Sequence, residues 1–597
     1  MRRTLALLAL LTLALAAPAE GAGKRAKSPR LKAFTSCAGL ISYARRHAPP
    51  PRRFIAPPRA PGPVSGGGEE GGSGGPPPVA APAPAPDSGS TAPDSSTTNV
   101  QEAGVDEPDI VKSDGTTVFT LTGDRLRAID ARSPVPRVLD SIAVPGSGGE
   151  LLIQGRRALV MAYGGAGTLL SEIEIANPAK MRVLRTLNID GAYVSARLHG
   201  HTARVVVSSQ PRALDVPIPT PRPLPIPIEA GTSAKKKKPL RARRAGWVPD
   251  ATLRNRRTGR KRKRALVACD DVRRTPRFTG AGMLTVVTID LSFGLQKVDT
   301  DSVMTDADTV YASPTSLYVA TSGGWQSDDT SIHRFDVAGD DSTVYRASGQ
   351  VPGDLLNQFA LSEYKGVLRA ATTEGFSASS QSHVTSLQPR AGRLEKIGQV
   401  SGLGRGERIY AVRFIDDRGY VVTFRQVDPL YTLDLADPTK PRVRGELKIL
   451  GYSAYLHPVG DHELLGVGQD ADAQGVRQGT QLSLFDVADP ANPKLLHKVA
   501  LGELTSTEAE YDHHAFLWWE PLRLAVVPVS DYEGGEPAQA IGFNVDRAKG
   551  IAETGRTRES ADVLRTLVIG PRLFTLSDEG LHAYDLATLA PGPFTSF

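Results

Sequence analysis

Thr432-Leu433-Asp434-Leu435-Ala436-Asp437-Pro438 and Leu484-Phe485-Asp486-Val487-Ala488-Asp489-Pro490 are two copies of one phrase, apolar-x-Asp-apolar-small-polar-Pro. In such a phrase a strand ends on an acid that binds the turn backbone, and the proline sets the turn into the next strand. The phrase recurs at Ala128-Ile129-Asp130, Ile173-Glu174-Ile175, Thr288-Ile289-Asp290, Arg334-Phe335-Asp336 and Ala583-Tyr584-Asp585, and more weakly at Ser386-Leu387-Gln388-Pro389 and Gly542-Phe543-Asn544-Val545. Most copies stand roughly 40 to 60 residues apart, the length of a four-stranded blade. From Val105 onward the chain reads as strands broken by Gly, Asp, Asn and Pro turns, with no helical periodicity of useful length. The expected fold is all-β, a single β-propeller over residues 98–597. Nine copies suggest eight or nine blades, and eight is adopted because the two weak copies need not be blade strands. The last copy leaves little chain for a fourth strand, so Thr98-Asn99-Val100-Gln101 is expected to complete that sheet.

Upstream of the repeats the sequence changes character. Met1-Arg2-Arg3 and the 13-residue apolar run Leu5–Ala17 have the form of a signal peptide over residues 1–19, with Ala17-Pro18-Ala19 as the cleavage pattern. The run is short for a membrane span. Within 20–47, Phe34, Cys37, Leu40, Ile41 and Ala44 share one helical stripe, which predicts a short amphipathic helix that must dock to be stable. Residues 48–97 are Pro-, Gly- and Ser-rich and too poor in apolar side chains to repay their ordering entropy; they read as a spacer.

The charge of the 597-residue chain is uneven. Between Pro211 and Arg264 stand 17 Lys and Arg against three acids, a net of +14, so the remainder carries −7 of the chain's total +7. The basic character therefore belongs to one insert, read here as disordered because its blocks Lys235–Lys238, Arg241–Arg244 and Arg260–Arg264 repel themselves. It is either a passive solvated loop or an electrostatic tether to an anionic polymer or surface. The body itself gives no reason to expect specific nucleic-acid binding.

The opening stretch Thr98-Asn99-Val100-Gln101-Glu102-Ala103-Gly104-Val105-Asp106-Glu107-Pro108-Asp109-Ile110-Val111-Lys112-Ser113-Asp114-Gly115 resembles that of secreted proteins with a C-terminal β-propeller domain, distantly similar to WD-repeat propellers. The resemblance continues through Gly406–Phe414, Tyr420–Phe424, Asp428–Tyr431, Tyr455–Val459 and Tyr511–Leu517. It implies an exported propeller and transfers no site, since the family carries no settled activity. The stretch is expected to begin the folded body and to help close it. Cys37 and Cys269 are the chain's two cysteines. Export permits a bridge between them, which would pin the helix to a blade, and the resemblance around Phe34-Thr35-Ser36-Cys37 favours it; two free thiols are the alternative.

No HExxH, CxxC, GxSxG or P-loop occurs, so no catalytic residue is assigned. Aromatic residues make up 6% of the chain, thin for a repeated sugar platform or a quinone-cofactor propeller. Asp470 and Asp472 imitate the start of a calcium loop, but Gln481 stands where the bidentate acid belongs, so a hairpin turn is the preferred reading. Asp106, Glu107 and Asp109 could hold calcium or meet basic backbone ends. His513 and His514, beside Asp512, would point to opposite faces of a strand, which argues against both ligating one metal. Asp470, Asp472, Asp106, Asp109 and His513 thus remain weak metal candidates, with calcium the one cofactor left open. The expected function is a non-catalytic, monomeric, secreted or surface-associated propeller that binds a protein or an anionic wall polymer. The alternative is an extracellular hydrolase or oxidoreductase with a site at the central channel mouth, drawing on His457, His513 or Asp512.

Overall fold

The structure, a computed structural model, describes residues 32–47, 94–165, 167–211, 246–275, 277–323, 329–339, 342–424, 428–531 and 537–597. The signal-peptide pattern, most of the spacer and residues 212–245 of the insert lie outside the described residues.

Each copy of the phrase proves to lie at the end of a third blade strand, and in six of the copies its aspartate accepts from the turn amides as expected. Asp130 Oδ1 accepts from the amides of Arg132 and Ser133, Asp434 Oδ1 from Ala436, Asp486 Oδ1 from Ala488, and Asp585 Oδ1 from Ala587 and Thr588. The strand that follows returns antiparallel as the outermost of its sheet, as Arg442–Ile449 does on Asp428–Asp434. The weak copies are blade strands too: Ser386–Pro389 lies in Gln381–Arg390 and Gly542–Val545 in Gln539–Asp546. The ring therefore has nine four-stranded units, not the adopted eight.

In order, the innermost strands of blades 1 to 4 are Val111–Ser113, Ser147–Gln154, Ala192–His199 and Thr309–Ala312. Blades 6, 7 and 9 begin with Arg408–Ile415, Tyr452–Gly460 and Arg565–Ile569. In blades 5 and 8 the innermost strand is broken in two: Asp354–Leu355 and Leu361–Tyr364, then Thr505–Ser506 and Leu517–Trp519. Apolar side chains of facing sheets meet between every adjacent pair of blades, for example Phe119 with Leu151 between blades 1 and 2 and Leu465 with Ile541 between blades 7 and 8. The ring closes the same way, with Val118 and Ile129 of blade 1 against Leu567, Phe574 and Leu581 of blade 9. Burying both faces of each sheet on its neighbours is what lets the fold do without helices in the ring.

Closure does not use the predicted strand exchange. Pro591–Ser596 pairs with Gly580–Asp585 and supplies the fourth strand of blade 9 from the chain's own end; six residues suffice once the Asp585 turn has reversed the chain. Thr98–Gln101 forms no strand. The N-terminal side touches blade 9 earlier and at its inner strand, where Ser96 N donates to Val568 O and Gly570 N donates to Asp94 O. Residues 94–96 thus already bond to the ring upstream of the expected boundary at 98.

The helix Cys37–His47 forms on the expected stripe, with Leu40, Ile41 and Ala44 buried. It packs against Trp247, Val248, Val267 and Val272, and the strand before it pairs Lys32 with Arg274 at the edge of blade 3. Cys37 is bonded to Cys269, 232 residues away. The insert is corrected in its second half. Asp250–Asn255 and Lys261–Ala265 form a hairpin that extends blade 2 beyond its fourth strand. Arg260–Arg264 is thus largely an exposed edge strand rather than a disordered block. Self-repulsion is tolerated there because the side chains reach into water, Lys263 pairs with Asp250 at 2.9 Å, and charge on an edge strand blocks further pairing.

Two outcomes follow from this packing. The bridge closes so long a loop that replacing both cysteines with serine should lower unfolding free energy by up to about 5 kcal/mol, read by urea unfolding of the serine variant against the oxidised parent. His333 and His457 are buried, and burial pushes both imidazoles down to about 3. Their folded pKa lies below the unfolded value near 6.5, so stability is full above that value and is lost as pH falls toward 3. At pH 5 the loss should be roughly 2 kcal/mol for each histidine, and a His333→Gln/His457→Gln double variant should show a flatter decline between pH 7 and pH 5 than the parent.

Candidate functional site at the axis of the ring

Residues 94–110 run from the inner strand of blade 9, across the axis, to blade 1, and bond to most of the ring on the way. The Nδ2 of Asn99 donates to the carbonyls of His513 (3.1 Å) and Phe516 (3.3 Å) in blade 8 and lies 3.2 Å from the Tyr455 hydroxyl of blade 7. The Nε2 of Gln101 donates to the carbonyls of Gln358 and Leu361 in blade 5 at 3.1 and 2.9 Å. Glu102 accepts from the Tyr311 hydroxyl of blade 4 at 2.6 Å. Asp106 and Asp109 make two-way backbone bridges to Leu198 of blade 3 and Leu151 of blade 2. The segment is an axial plug built by side-chain amides and acids, and its sequence is polar because its partners are the inner strands' own polar groups.

The acids of the plug also meet Lys112, Arg197 and Arg565, which stand on the inner strands of blades 1, 3 and 9. Lys112 Nζ sits 2.7 Å from Asp106 and 2.8 Å from the Thr98 hydroxyl. Arg565 Nε donates to Asp109 at 2.8 Å, and its Nη2 pairs with Asp512. Arg197 donates 2.7 Å to Gln358 Oε1, whose Nε2 donates to both oxygens of Glu107. Burial alone would raise the Glu107 carboxyl, but Arg197 and the histidines hold it well below the usual carboxylate range. Asp512 behaves likewise: burial raises it, and His514 and Arg565 bring it well below. Burial lowers Arg413 of blade 6 to about 10, against the acids Glu102 and Glu107 that face it.

The sequence candidates separate cleanly in space. Asp106 and Asp109 meet the side chains of Lys112 and Arg565, partners that the sequence reading did not name. Asp472 Oδ1 accepts from the amides of Gln474 and Val476 and so serves a hairpin turn, while Asp470 lies 2.6 Å from Lys498 of the same blade. His457 is packed against Tyr455, Phe516 and Trp518 and shares a 2.5 Å hydrogen bond with the Tyr455 hydroxyl. His513 and His514 are not on a strand. They occupy the single helical turn His513–Ala515, whose first amide groups are capped by Asp512, so their rings lie on one side with centroids 3.6 Å apart. The argument that placed them on opposite faces fails for that reason. Sequence reasoning missed Lys112, Arg197, Gln358, Arg413 and Arg565. The readable signal was charge complementarity: cations on the inner strands opposite a stretch holding Glu102, Asp106, Glu107 and Asp109.

Nine sheets in a closed ring around a filled axis define a β-propeller protein. The chain belongs to the family described as Beta propeller domain, whose model matches residues 95–589. It is 40% identical over 238 residues to an uncharacterized protein of Methanocaldococcus jannaschii, covering 40% of this chain and 36% of that one. It is 45% identical over 167 residues to an uncharacterized protein of Archaeoglobus fulgidus, covering 28% and 25%. The matches thus span about a third and a quarter of those relatives. Among solved structures it is similar to Saccharomyces cerevisiae Sqt1, with a TM-score of 0.35, 7% identity, and coverage of 54% of this chain and 84% of that one. It is also similar to the computationally designed Ika8 protein, with a TM-score of 0.37, 9% identity, and coverage of 73% and 95%. Likenesses of this size carry no functional argument.

Arg565 tests the plug. Replacing it with alanine leaves Asp109 buried without its cation and takes one partner from the half-buried Asp512, and should cost about 3–5 kcal/mol in urea unfolding. Arg132→Ala, which removes the exposed pair with Asp94, should cost less than about 1 kcal/mol.

Proposed function

We propose that this chain is an exported, non-catalytic propeller that binds an anionic polymer at the cell surface or in the wall. The observation that carries this reading is the exposed basic hairpin at the outer edge of blade 2. Arg256, Arg257, Arg260, Lys261, Arg262, Lys263 and Arg264 stand in water on a rigid sheet. Among them Lys263 alone has an acid at salt-bridge distance in the described residues. A row of fixed cations with a Debye length of solvent before it attracts a polyanion at low cost in ordering entropy. The signal-peptide pattern at residues 1–19 and the Cys37–Cys269 bridge, which persists in oxidising compartments, support export. The axis supports a non-catalytic role: the place where the alternative reading sets an active site holds the chain's own Asn99, Gln101, Glu102 and Glu107, each already bonded to the ring.

The experiment is retention of the mature protein on a matrix bearing a polyanion such as teichoic acid or heparin, as a function of salt. Retention should fall with ionic strength, and an Arg260→Ser/Lys261→Ser/Arg262→Ser/Arg264→Ser variant should elute at clearly lower salt with an unchanged Tm. A variant that elutes with the parent would remove the hairpin from the binding surface and this reading with it.

A further inference from the structure

At the axis, three donor atoms converge from two distant parts of the chain. Glu107 Oε2 of the plug lies 3.2 Å from His513 Nε2 and 3.7 Å from His514 Nε2 on the blade 8 turn. All three atoms lie within 4.8 Å of one another. Neither Nε2 makes a hydrogen bond of acceptable geometry, although both are buried. The 3.2 Å approach of His513 to the carboxylate is a distance without the alignment of a bond. Two buried imidazole nitrogens left without partners are costly.

From this geometry we infer that Glu107, His513 and His514 form a binding site for a divalent transition-metal ion of the zinc class. An ion bound at 2.0–2.1 Å by tetrahedrally placed donors holds those donors about 3.4 Å apart, and the two measured edges bracket that figure. The donor set of two nitrogens and one oxygen suits zinc and excludes calcium, which takes oxygen ligands. The outer partners are also in place. His514 Nδ1 lies 2.8 Å from Asp512 Oδ1, which fixes the tautomer with the proton on Nδ1 and turns the Nε2 lone pair toward the site. Asp512 is held in turn by Arg565, and Glu107 is oriented by Gln358 and by the Gln101 amide at 3.0 Å. Both Nε2 atoms lie beside the same carboxylate oxygen, where one cation can accept both lone pairs. The site would join the N-terminal plug to the last third of the ring, and so lock the closure. It stands apart from the blade 2 hairpin and does not depend on the proposed partner.

The test uses the full mature protein, purified from cells grown with added zinc and, separately, incubated with excess Zn2+ and desalted. Metal analysis should find about one zinc per chain, and Tm should fall on treatment with a strong chelator and recover with Zn2+. Glu107→Gln, His513→Gln and His514→Gln, each keeping the size of the side chain, should lose the bound zinc while retaining the parent's far-ultraviolet circular dichroism. If these variants fail to fold, the parent grown with Co2+ decides: the visible ligand-field absorption of a four-coordinate nitrogen–oxygen site supports the assignment. A parent that retains less than about a tenth of an equivalent of either metal under both loading conditions overturns it. So does a folded His513→Gln/His514→Gln variant that still holds a full equivalent.

Discussion

The pairing of buried acids in the plug with single cations on the inner strands is the constraint on which the ring depends. A propeller of nine blades leaves a central channel lined by strand backbones and their inward side chains. Side chains of one inner strand do not reach across it, so the channel must hold water or chain. Here it holds chain, and the chain is acidic. Taking Glu107, Asp109, Lys112, Arg197 and Arg565 out of water is expensive, and the expense is recovered only when each charge finds an opposite charge or several hydrogen bonds at once. Such a network adds little net stability over an apolar filling of the same shape, but it admits few arrangements. The plug can lie one way only, with Asp109 at Arg565 and Asp106 at Lys112.

That constraint also explains how the ring closes without exchanging a strand. Blade 1 is built wholly from the beginning of the body and blade 9 wholly from its end. An apolar interface joins them, as it joins any two neighbours, but this interface lacks a covalent connection. The plug ties the two by hydrogen bonds instead. Its first residues bond to the inner strand of blade 9 and its last continue into the inner strand of blade 1. Opening the seam would therefore expose the charged network as well as apolar surface. The helix at Cys37 adds a second tie, but to blade 3, far from the seam, and its bridge anchors the N-terminal segment rather than the ring.

Legibility in the sequence followed locality. The Asp-turn phrase is local chemistry, and it placed all nine third strands, the two weak copies included. The helix stripe is local, and Cys37, Leu40, Ile41 and Ala44 do lie on the helix, while Phe34 precedes it and is buried beside it. The fourth strand of blade 9 was missed because the chain beyond the last copy was judged too short, whereas Pro591–Ser596 suffices, and an outermost strand tolerates its prolines. The hairpin Asp250–Ala265 was missed because composition spoke of repulsion, while the outcome was set by the free edge of blade 2 and by buried Trp247 and Val248. At the axis the acids were visible but their partners were not, because Arg197 and Arg565 stand about ninety and four hundred and sixty residues from Glu107 and Asp109. Only the closed ring makes them neighbours.

The places where the repeat is least regular are the places where the plug is held. Blades 5 and 8 carry the two weak phrases, and they also carry the two broken inner strands. The break in blade 5 is the turn Gln358–Ala360, which brings Gln358 to Glu107 and Phe359 under the His513 ring. The break in blade 8 holds the turns Glu508–Glu510 and His513–Ala515, which bring Asp512, His513 and His514 to the axis. A continuous inner strand would present alternate side chains to the two sheet faces and could not aim two adjacent histidines at one carboxylate. Interrupting the strand sacrifices ladder hydrogen bonds and gains that convergence. Local departure from the pattern is what a site of this kind requires, so the irregular copies, which weakened the blade count, were marking the blades that grip the axis.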